Sequence, residues 1–293
     1  MSTVDPAGVP PSTFASRRRG AVSRLMADSV VIARRSIAKT WHHPDSLIGV
    51  TVLPVVFTLL FGYVIGPAVS LTDDDGHVAA GGNAFHAFLV SGMFAFTMVN
   101  AAGRAAVGIA SDIHEGIVDR FRSLPMSRAG VLLGRSLADL AIASLAIAVV
   151  AVTGVIIGWR PGQGAGQTVS AFALVLLFAY ALEWVMLCVG LAIGSVEGAD
   201  QTRLLLMFLL GMVSTALIPV DNLAGWLQGF AYWNPVSVVA VACRHLFGNP
   251  NPAAAASAWP MQHPVVASLL WSTVIIAVFA PAAFYLYRTR TNH

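Results

Sequence analysis

Residues 169–194 read VSAFALVLLFAYALEWVMLCVGLAIG, an apolar run that carries a single charge, Glu183. About 20 consecutive apolar residues let a helix cross the hydrocarbon core of a bilayer. At that depth every backbone N–H and C=O must find its partner inside the protein, which favours a helix. Working outward, comparable runs occur at about 47–69, 85–110, 131–158, 204–220 and 265–287. Across the 293 residues 57% are apolar and 11% charged, against about 45–50% apolar in soluble domains; the mean hydropathy is +0.74. The expected fold class is an all-α polytopic membrane protein with six transmembrane helices.

Arginine and lysine bias in the flanks sets the expected orientation. Arg17, Arg18, Arg19, Arg24, Arg34, Arg35 and Lys39 precede the first run, and Arg120, Arg122 and Arg128 lie between the second and third. Arg203 lies in the fourth connection, and Arg288 and Arg290 follow the last run. The first loop instead carries Asp73, Asp74 and Asp75, and the long fifth loop has Arg244 as its one arginine. Both termini are therefore expected in the cytoplasm of a multi-pass protein of the cell (plasma) membrane. The net charge of +3 and pI of about 9.2 do not mark a nucleic-acid partner, because the arginines flank apolar spans rather than one soluble face.

The remaining segments have distinct patterns. Residues 1–20 are expected to be a disordered cytoplasmic tail, rich at its start in Pro, Ser, Thr and Ala. Over 21–43, Val22, Leu25, Met26, Ala33, Ile37 and Trp41 share one helical face and basic residues the other, which predicts an amphipathic helix in the membrane interface. His42-His43-Pro44 then turns the chain into a transmembrane domain over 44–293. Because Arg17-Arg18-Arg19 is not followed by an uninterrupted apolar stretch, the first span is expected to be its own insertion signal. The loop at about 221–264 is aromatic and amphipathic, with Leu223, Trp226, Leu227, Phe230, Tyr232 and Trp233, so short outer-face re-entrant helices are expected there between spans 5 and 6. Asn234-Pro235 should turn the chain between them, and Asn249 to Pro252 with the following alanines reads as plain loop. Gly62/Gly66 and Gly190/Gly194 would permit close helix approach. Cys188 and Cys243 suggest neither a disulfide framework nor a metal site.

Between the second and third runs lies DIHEGIVDRFRSLPMSR, residues 112–128. Ile113, Ile117, Phe121 and Leu124 recur at four, four and three, while Glu115, Asp119 and Arg122 project elsewhere; Pro125 follows. That spacing predicts a short amphipathic helix, roughly 113–123 within a segment of about 112–124, suited to a cleft on a soluble partner. A solvated loop that only satisfies the positive-inside bias is the alternative.

The run Glu115-Gly116, Asp119-Arg120 and Arg122-Ser-Leu-Pro-Met-Ser-Arg128 resembles the loop signature of ABC-2 type transporter permeases, in particular the daunorubicin-resistance type of drug-exporter membrane subunit. Ile218-Pro219, Gly225-Trp-Leu-Gln228 and Asn234-Pro235-Val-Ser237 leading to Arg244 agree with it. The resemblance spans about 24–290 and departs at His114. It implies that Glu115, Gly116, Arg120, Arg122, Leu124 and Pro125 form an ATPase-coupling helix. It also implies two copies of an ABC ATPase subunit as partners, and a second permease subunit expected to be identical. The chain has no Gly-x-x-x-x-Gly-Lys-Ser/Thr loop, so cofactors are expected only in the partner, which would hold ATP and Mg. The chain itself is expected to be a transport subunit with no catalytic residues.

Ionisable residues at membrane depth are costly and point to function by default. Glu183, with Tyr180 and Trp184 beside it, is a candidate for the substrate path, to be weighed against simple pairing at a helix interface. Arg104, Arg135 and Asp139 form a candidate intramembrane ion-pair set, with Arg135 and Asp139 four residues apart on one face. The expected function is the permease subunit of an ATP-driven exporter of a hydrophobic or amphipathic drug, antibiotic or lipid-like compound. A polysaccharide or glycolipid exporter, and a proton-coupled carrier using Glu183 and Asp139, are the competing expectations. No metal-ligand set stands out.

Overall fold

The computed structural model describes residues 44–68, 82–116, 128–220 and 223–290. The expected tail and interfacial helix, and the coupling segment from Ile117 onward with Arg120, Arg122, Leu124 and Pro125, lie outside them. Among the described residues there is no strand. The first described element is α1 (Pro44–Leu59), loosened into a π turn at Leu60–Ile65 and a 3₁₀ turn at Gly66–Ala68. Three long helices follow: α2 (Gly82–His114), α3 (Arg128–Ile156) and α4 (Ala165–Ile193). Next come α5 (Val196–Leu206), a π turn at Met207–Met212, α6 (Gly225–Trp233), α7 (Pro235–Phe247), the short α8 (Trp259–Gln262) and α9 (Pro264–Arg290). Among the described residues, α2, α3, α4 and α9 have the length and composition to cross a membrane, and Thr51–Ile65 and Pro235–Phe247 form shorter apolar helices.

Helix α2 is the centre of the bundle. Its 33 residues rise about 50 Å, and α3, α4, α5 and α7 all pack on it. Phe88, Leu89, Met93, Phe94, Met98 and Ile109 are fully or almost fully buried along it. Small residues allow this crowding. A Cβ on Gly190 of α4 would overlap the Ala106 carbonyl of α2, so the two backbones touch there. Gly194, expected to serve the same end, instead terminates α4 in the left-handed region (φ 73°), its N–H donating to the Gly190 carbonyl. The outer surface is apolar, as a lipid-facing surface should be: Val52, Val56 and Val64 on the first helix and turn, and Leu270, Val274 and Val278 on α9, are all exposed.

The fifth expected span, 204–220, is not one helix. α5 and its π turn together end at Met212, and Val213 leaves the helical region (φ −88°, ψ 56°). The chain runs antiparallel along α2: Arg203 lies on Gly103, Gly211 on Phe96 and the Ala216 carbonyl on Gly92. The break at 213–216 thus falls well inside the length of α2, where unpaired carbonyls would be unsolvated. Two polar side chains at the N-cap and in the last turn of α7 satisfy them. Asn234 Nδ2 donates to the carbonyls of Leu210 (2.8 Å) and Val213 (2.6 Å), while its Oδ1 caps α7 by accepting from Val236 N–H (2.9 Å). Arg244 Nη2 donates to the carbonyls of Thr215 (2.7 Å) and Ala216 (3.0 Å), and Nε donates to that of Phe88 (3.2 Å). Ser237 Oγ accepts from Thr215 N–H (2.9 Å). A buried carbonyl left without a donor costs about 1–3 kcal/mol, so these bonds permit the break.

At the end of the bundle where α3 meets α4, Trp159 is buried against Phe94 and Phe247, which also pack on Phe172, in edge-on and tilted contacts of 5.1–5.6 Å. The Asn249 segment is not plain loop. Asn249 Oδ1 accepts from Ser91 Oγ (2.7 Å) and Trp159 Nε1 (2.8 Å), and Nδ2 donates to the Arg160 carbonyl (3.3 Å). It ties the α3–α4 connection to α2.

Replacing Asn234 with Ser keeps an N-cap acceptor but removes both carbonyl bonds. The purified protein in mild detergent should then unfold about 5 °C lower or more, at about 2–4 °C per kcal/mol. A midpoint equal to wild type would show that the two bonds contribute nothing.

Candidate functional site

The end of the bundle opposite the aromatic cluster gathers the charges. Helix α2 supplies Asn100, Arg104 and Asp112, α3 supplies Arg135 and Asp139, α4 supplies Glu183, and α5 supplies Asp200 and Arg203. Of the expected pairs, Arg135 and Asp139 are the weaker: Arg135 Nε lies 3.8 Å from Asp139 Oδ2, beyond hydrogen-bond reach. The principal partner of Arg135 is Asp112, across the α2–α3 contact, in a direct ion pair with side chains 17% and 23% exposed. That partner was not evident from i,i+4 spacing, because it comes from the last turn of another helix. Arg104 interacts electrostatically with Asp139, Arg135 and Arg203.

Glycines on α2 make these arrangements possible. A Cβ on Gly108 would overlap the Arg135 guanidinium, and one on Gly103 the stem of Arg203. Each arginine therefore lies in a notch. Arg203 bonds to Asp200 (2.8 Å) and donates to Asn100 Oδ1 (3.1 Å), linking α5 to α2. The sequence held a signal for the local pair, Asp200 and Arg203 at i,i+3, but none for the notches, since isolated glycines in a helix have many roles.

Glu183 is 1% exposed, and its Oε2 has no hydrogen-bond partner among the described residues. The charged group close enough to act on it is Asp139, itself a carboxylate. Tyr180 and Trp184 meet edge to face at 5.9 Å, and Trp184 is buried against Phe284 of α9 at 5.4 Å. The structure thus brings Glu183 near Asp139 and packs Trp184 between Tyr180 and α9.

The segment expected to begin a separate amphipathic helix at about 112 starts differently. Asp112, Ile113 and His114 are the last turn of α2. Glu115 N–H donates to the Ser111 carbonyl (2.8 Å), and Gly116 N–H donates to that of Ile113 (3.1 Å) with Gly116 at φ 65°. A left-handed glycine just past a helix terminates it, and among the described residues no neighbour lies where a Gly116 Cβ would be, so there the backbone conformation calls for glycine. The amphipathic spacing of Ile113 with Ile117 therefore crosses the end of α2. Glu115 is exposed, its carboxylate accepting from Ser111 Oγ (2.7 Å).

Comparison with known proteins gives a consistent likeness. The ABC-2 type transporter family model matches residues 29–247. The chain is 25% identical over 292 residues to the daunorubicin resistance ABC transporter permease protein DrrB1 of Streptomyces coeruleorubidus, covering 100% of this chain and 97% of that one. It is 25% identical over 286 residues to the probable doxorubicin resistance ABC transporter permease protein DrrC of Mycobacterium tuberculosis, covering 94% and 93%. A putative transport permease, ycf38, of the alga Pyropia yezoensis is 22% identical over 237 residues, covering 78% and 76%.

The Asp112–Arg135 pair can be weighed by a double-mutant cycle. Asp112→Asn and Arg135→Gln, singly and together, should give a coupling of about 1–2 kcal/mol in unfolding free energy. A coupling of zero would make the pair incidental to the packing of α2 on α3.

Proposed function

The chain belongs to the ABC-2 type transporter family, and from that premise we propose that it is the membrane-spanning subunit of an ATP-driven exporter of a hydrophobic or amphipathic compound. It is an integral membrane protein homologous to permeases of drug-resistance ABC transporters. Such permeases work with ABC ATPase partners and are not themselves catalytic. The observation that carries the proposal is the end-to-end likeness to a daunorubicin resistance permease, which covers 100% of this chain.

In this proposal two ATPase subunits, each holding ATP and Mg, dock below a pair of permeases. The charged end of the bundle faces the cytoplasm, with the α2–α3 connection, the α4–α5 connection and the end of α9 on that side. Arginine bias supports that orientation, and so does the grouping of Arg135, Arg203 and their partners away from the buried aromatic cluster. Glu115 lies exposed beyond the last turn of α2, at the start of the stretch carrying Arg120, Arg122, Leu124 and Pro125. A push on that stretch meets α2 directly, because Gly116 ends the helix without a flexible linker on its membrane side. The exported compound is a drug, antibiotic or lipid-like molecule, for which the apolar spans provide a compatible path.

The test is a mild-detergent pull-down of the tagged chain from its native membranes. A soluble subunit with a phosphate-binding Gly-Lys-Ser/Thr loop should co-purify at about equal stoichiometry, as a full transporter requires. Glu115→Arg should insert normally yet lower export of the compound by about tenfold or more, the loss expected when a docking charge is reversed. Normal export by that variant would remove Glu115 from the coupling role.

A further inference from the structure

Helix α5 has irregular backbone at both ends. Gly194, left-handed at φ 73°, and Ser195 precede it, and the π turn at Met207–Met212 and the break at Val213 follow. Among the described helices it packs on α2 and α4, and Leu204, Leu205, Phe208 and Leu209 are exposed along it and its π turn. Three close approaches fix how this chain lies on α2: Arg203 on Gly103, Gly211 on Phe96 and Ala216 on Gly92. From 203 to 211 the chain advances eight residues while α2 runs back seven, from 103 to 96. From 211 to 216 it advances five against four, from 96 to 92. The π turn accommodates the first extra residue and the break the second. The chain is thus two residues longer than the stretch of α2 that it covers, 13 against 11, a slack of about 3 Å of helical rise.

The two fixings differ in kind. Towards the aromatic end, Arg244 is 0% exposed and donates to the carbonyls of Thr215 (2.7 Å) and Ala216 (3.0 Å). Towards the charged end there is one bond to α2, Arg203 Nη1 donating to Asn100 Oδ1 at 3.1 Å. The Arg203 side chain is 20% exposed, and its partner Asp200 is 46% exposed. Arg104 of α2 adds a like charge that acts with Arg203. A solvent-exposed contact of this kind contributes little net stability, because water and salt compete for it.

We infer that residues 196–212 are a strap that lifts from α2 at the charged end, with Arg203 in the Gly103 notch as its latch and Arg244 as its anchor. The two surplus residues let the strap rise without stretching the chain. The π turn is its hinge at one side and the left-handed Gly194 its pivot at the other. Asp200 holds the guanidinium towards Asn100, so latch and notch engage together. Ala199, 0% exposed on the inner face of α5, is uncovered when the strap rises. The inference rests on the export proposal for its purpose, since it supplies a moving element at the end where that proposal places the ATPases.

The test uses the full-length chain in lipid nanodiscs, without any ATPase. Ala199→Cys is introduced, and its alkylation by a water-soluble maleimide is timed by mass spectrometry. The native Cys243, 0% exposed, is the internal control for loosening of the whole bundle. Gly103→Ala places a Cβ 2.2 Å from Arg203 Cγ, so it should eject the latch and speed alkylation at position 199 about tenfold. Arg203→Met, which keeps a long stem but loses the bonds, should do the same. Asn100→Asp offers Arg203 a charged acceptor and should slow the reaction about threefold. Cys243 should stay unreactive throughout. Unchanged rates in Gly103→Ala and Arg203→Met overturn the inference, and so does a Cys243 that reacts in step with position 199. Should Ala199→Cys fail to insert, amide hydrogen exchange in wild type and Gly103→Ala reads the same motion. Residues 196–212 should then exchange about tenfold faster in the variant with α4 unchanged, and equal rates overturn the inference. Because no ATPase is present, failure here leaves the export proposal to its own pull-down and export test.

Discussion

A carbonyl that leaves its helix inside a membrane has no water to turn to, and the described structure is arranged around one place where several do so. The chain after α5 gives up helical geometry at Val213. Irregular backbone at such depth is tolerated only where protein covers it and supplies donors. Here the donors are Asn234 and Arg244, at the two ends of α7, reaching back to Leu210, Val213, Thr215 and Ala216. Arg244 is 0% exposed and its guanidinium sits 3.7 Å over the Phe88 ring. Carbonyl dipoles and a ring face hold its charge in place of a carboxylate among the described residues. That is weaker compensation than an ion pair but well suited to clamping three chain segments together. Gly92 completes the arrangement, since any side chain there would displace the Ala216 carbonyl.

The same economy recurs along α2. It presents backbone rather than side chain wherever a neighbour brings something bulky or polar: Gly92 to the broken segment, Gly103 to Arg203 and Gly108 to Arg135. Glycine inside a helix costs roughly 1 kcal/mol against alanine. Three of them on one helix are explained by what lies against them. The charged end is consequently sealed by arginines set into the surface of α2, while the other end is closed by rings around Trp159. The molecule has a polar end and an aromatic end, joined by one long helix.

Much of this was readable from composition and period. The second, third, fourth and last apolar runs became α2, α3, α4 and α9, because long apolar runs leave a chain few alternatives at membrane depth. Asn234-Pro235 was readable as a turn between two short helices, since proline at the first helical position and an asparagine cap are local signals. The break in the fifth run was not readable. Residues 204–220 are apolar apart from Ser214 and Thr215, and what opens the helix there is donors some 20–30 residues onward. Arg244 could be noticed as a lone base in an apolar stretch, but its partners are carbonyls, which leave no trace in a sequence. Glu115-Gly116 was recognisable as a motif, yet amphipathic spacing carried the helix across it. A period cannot register that Gly116 has turned left-handed. For Glu183, depth was readable but company was not: that its charged neighbour is Asp139 depends on how α3 and α4 face each other.

Helix α2 contains no proline, and proline is a common cause of sharp kinks in long helices. It also ends abruptly at Gly116, and its far half holds Phe94 and the Ser91 bond to Asn249. Such a helix behaves as a stiff lever. Under the proposed coupling, a tilt at the Glu115 end would not be absorbed along the way and would displace the Phe94 ring against Trp159 and Phe247. In that proposal the length of α2 sets the ratio of movement between its two ends, and the two regions would communicate by leverage without touching.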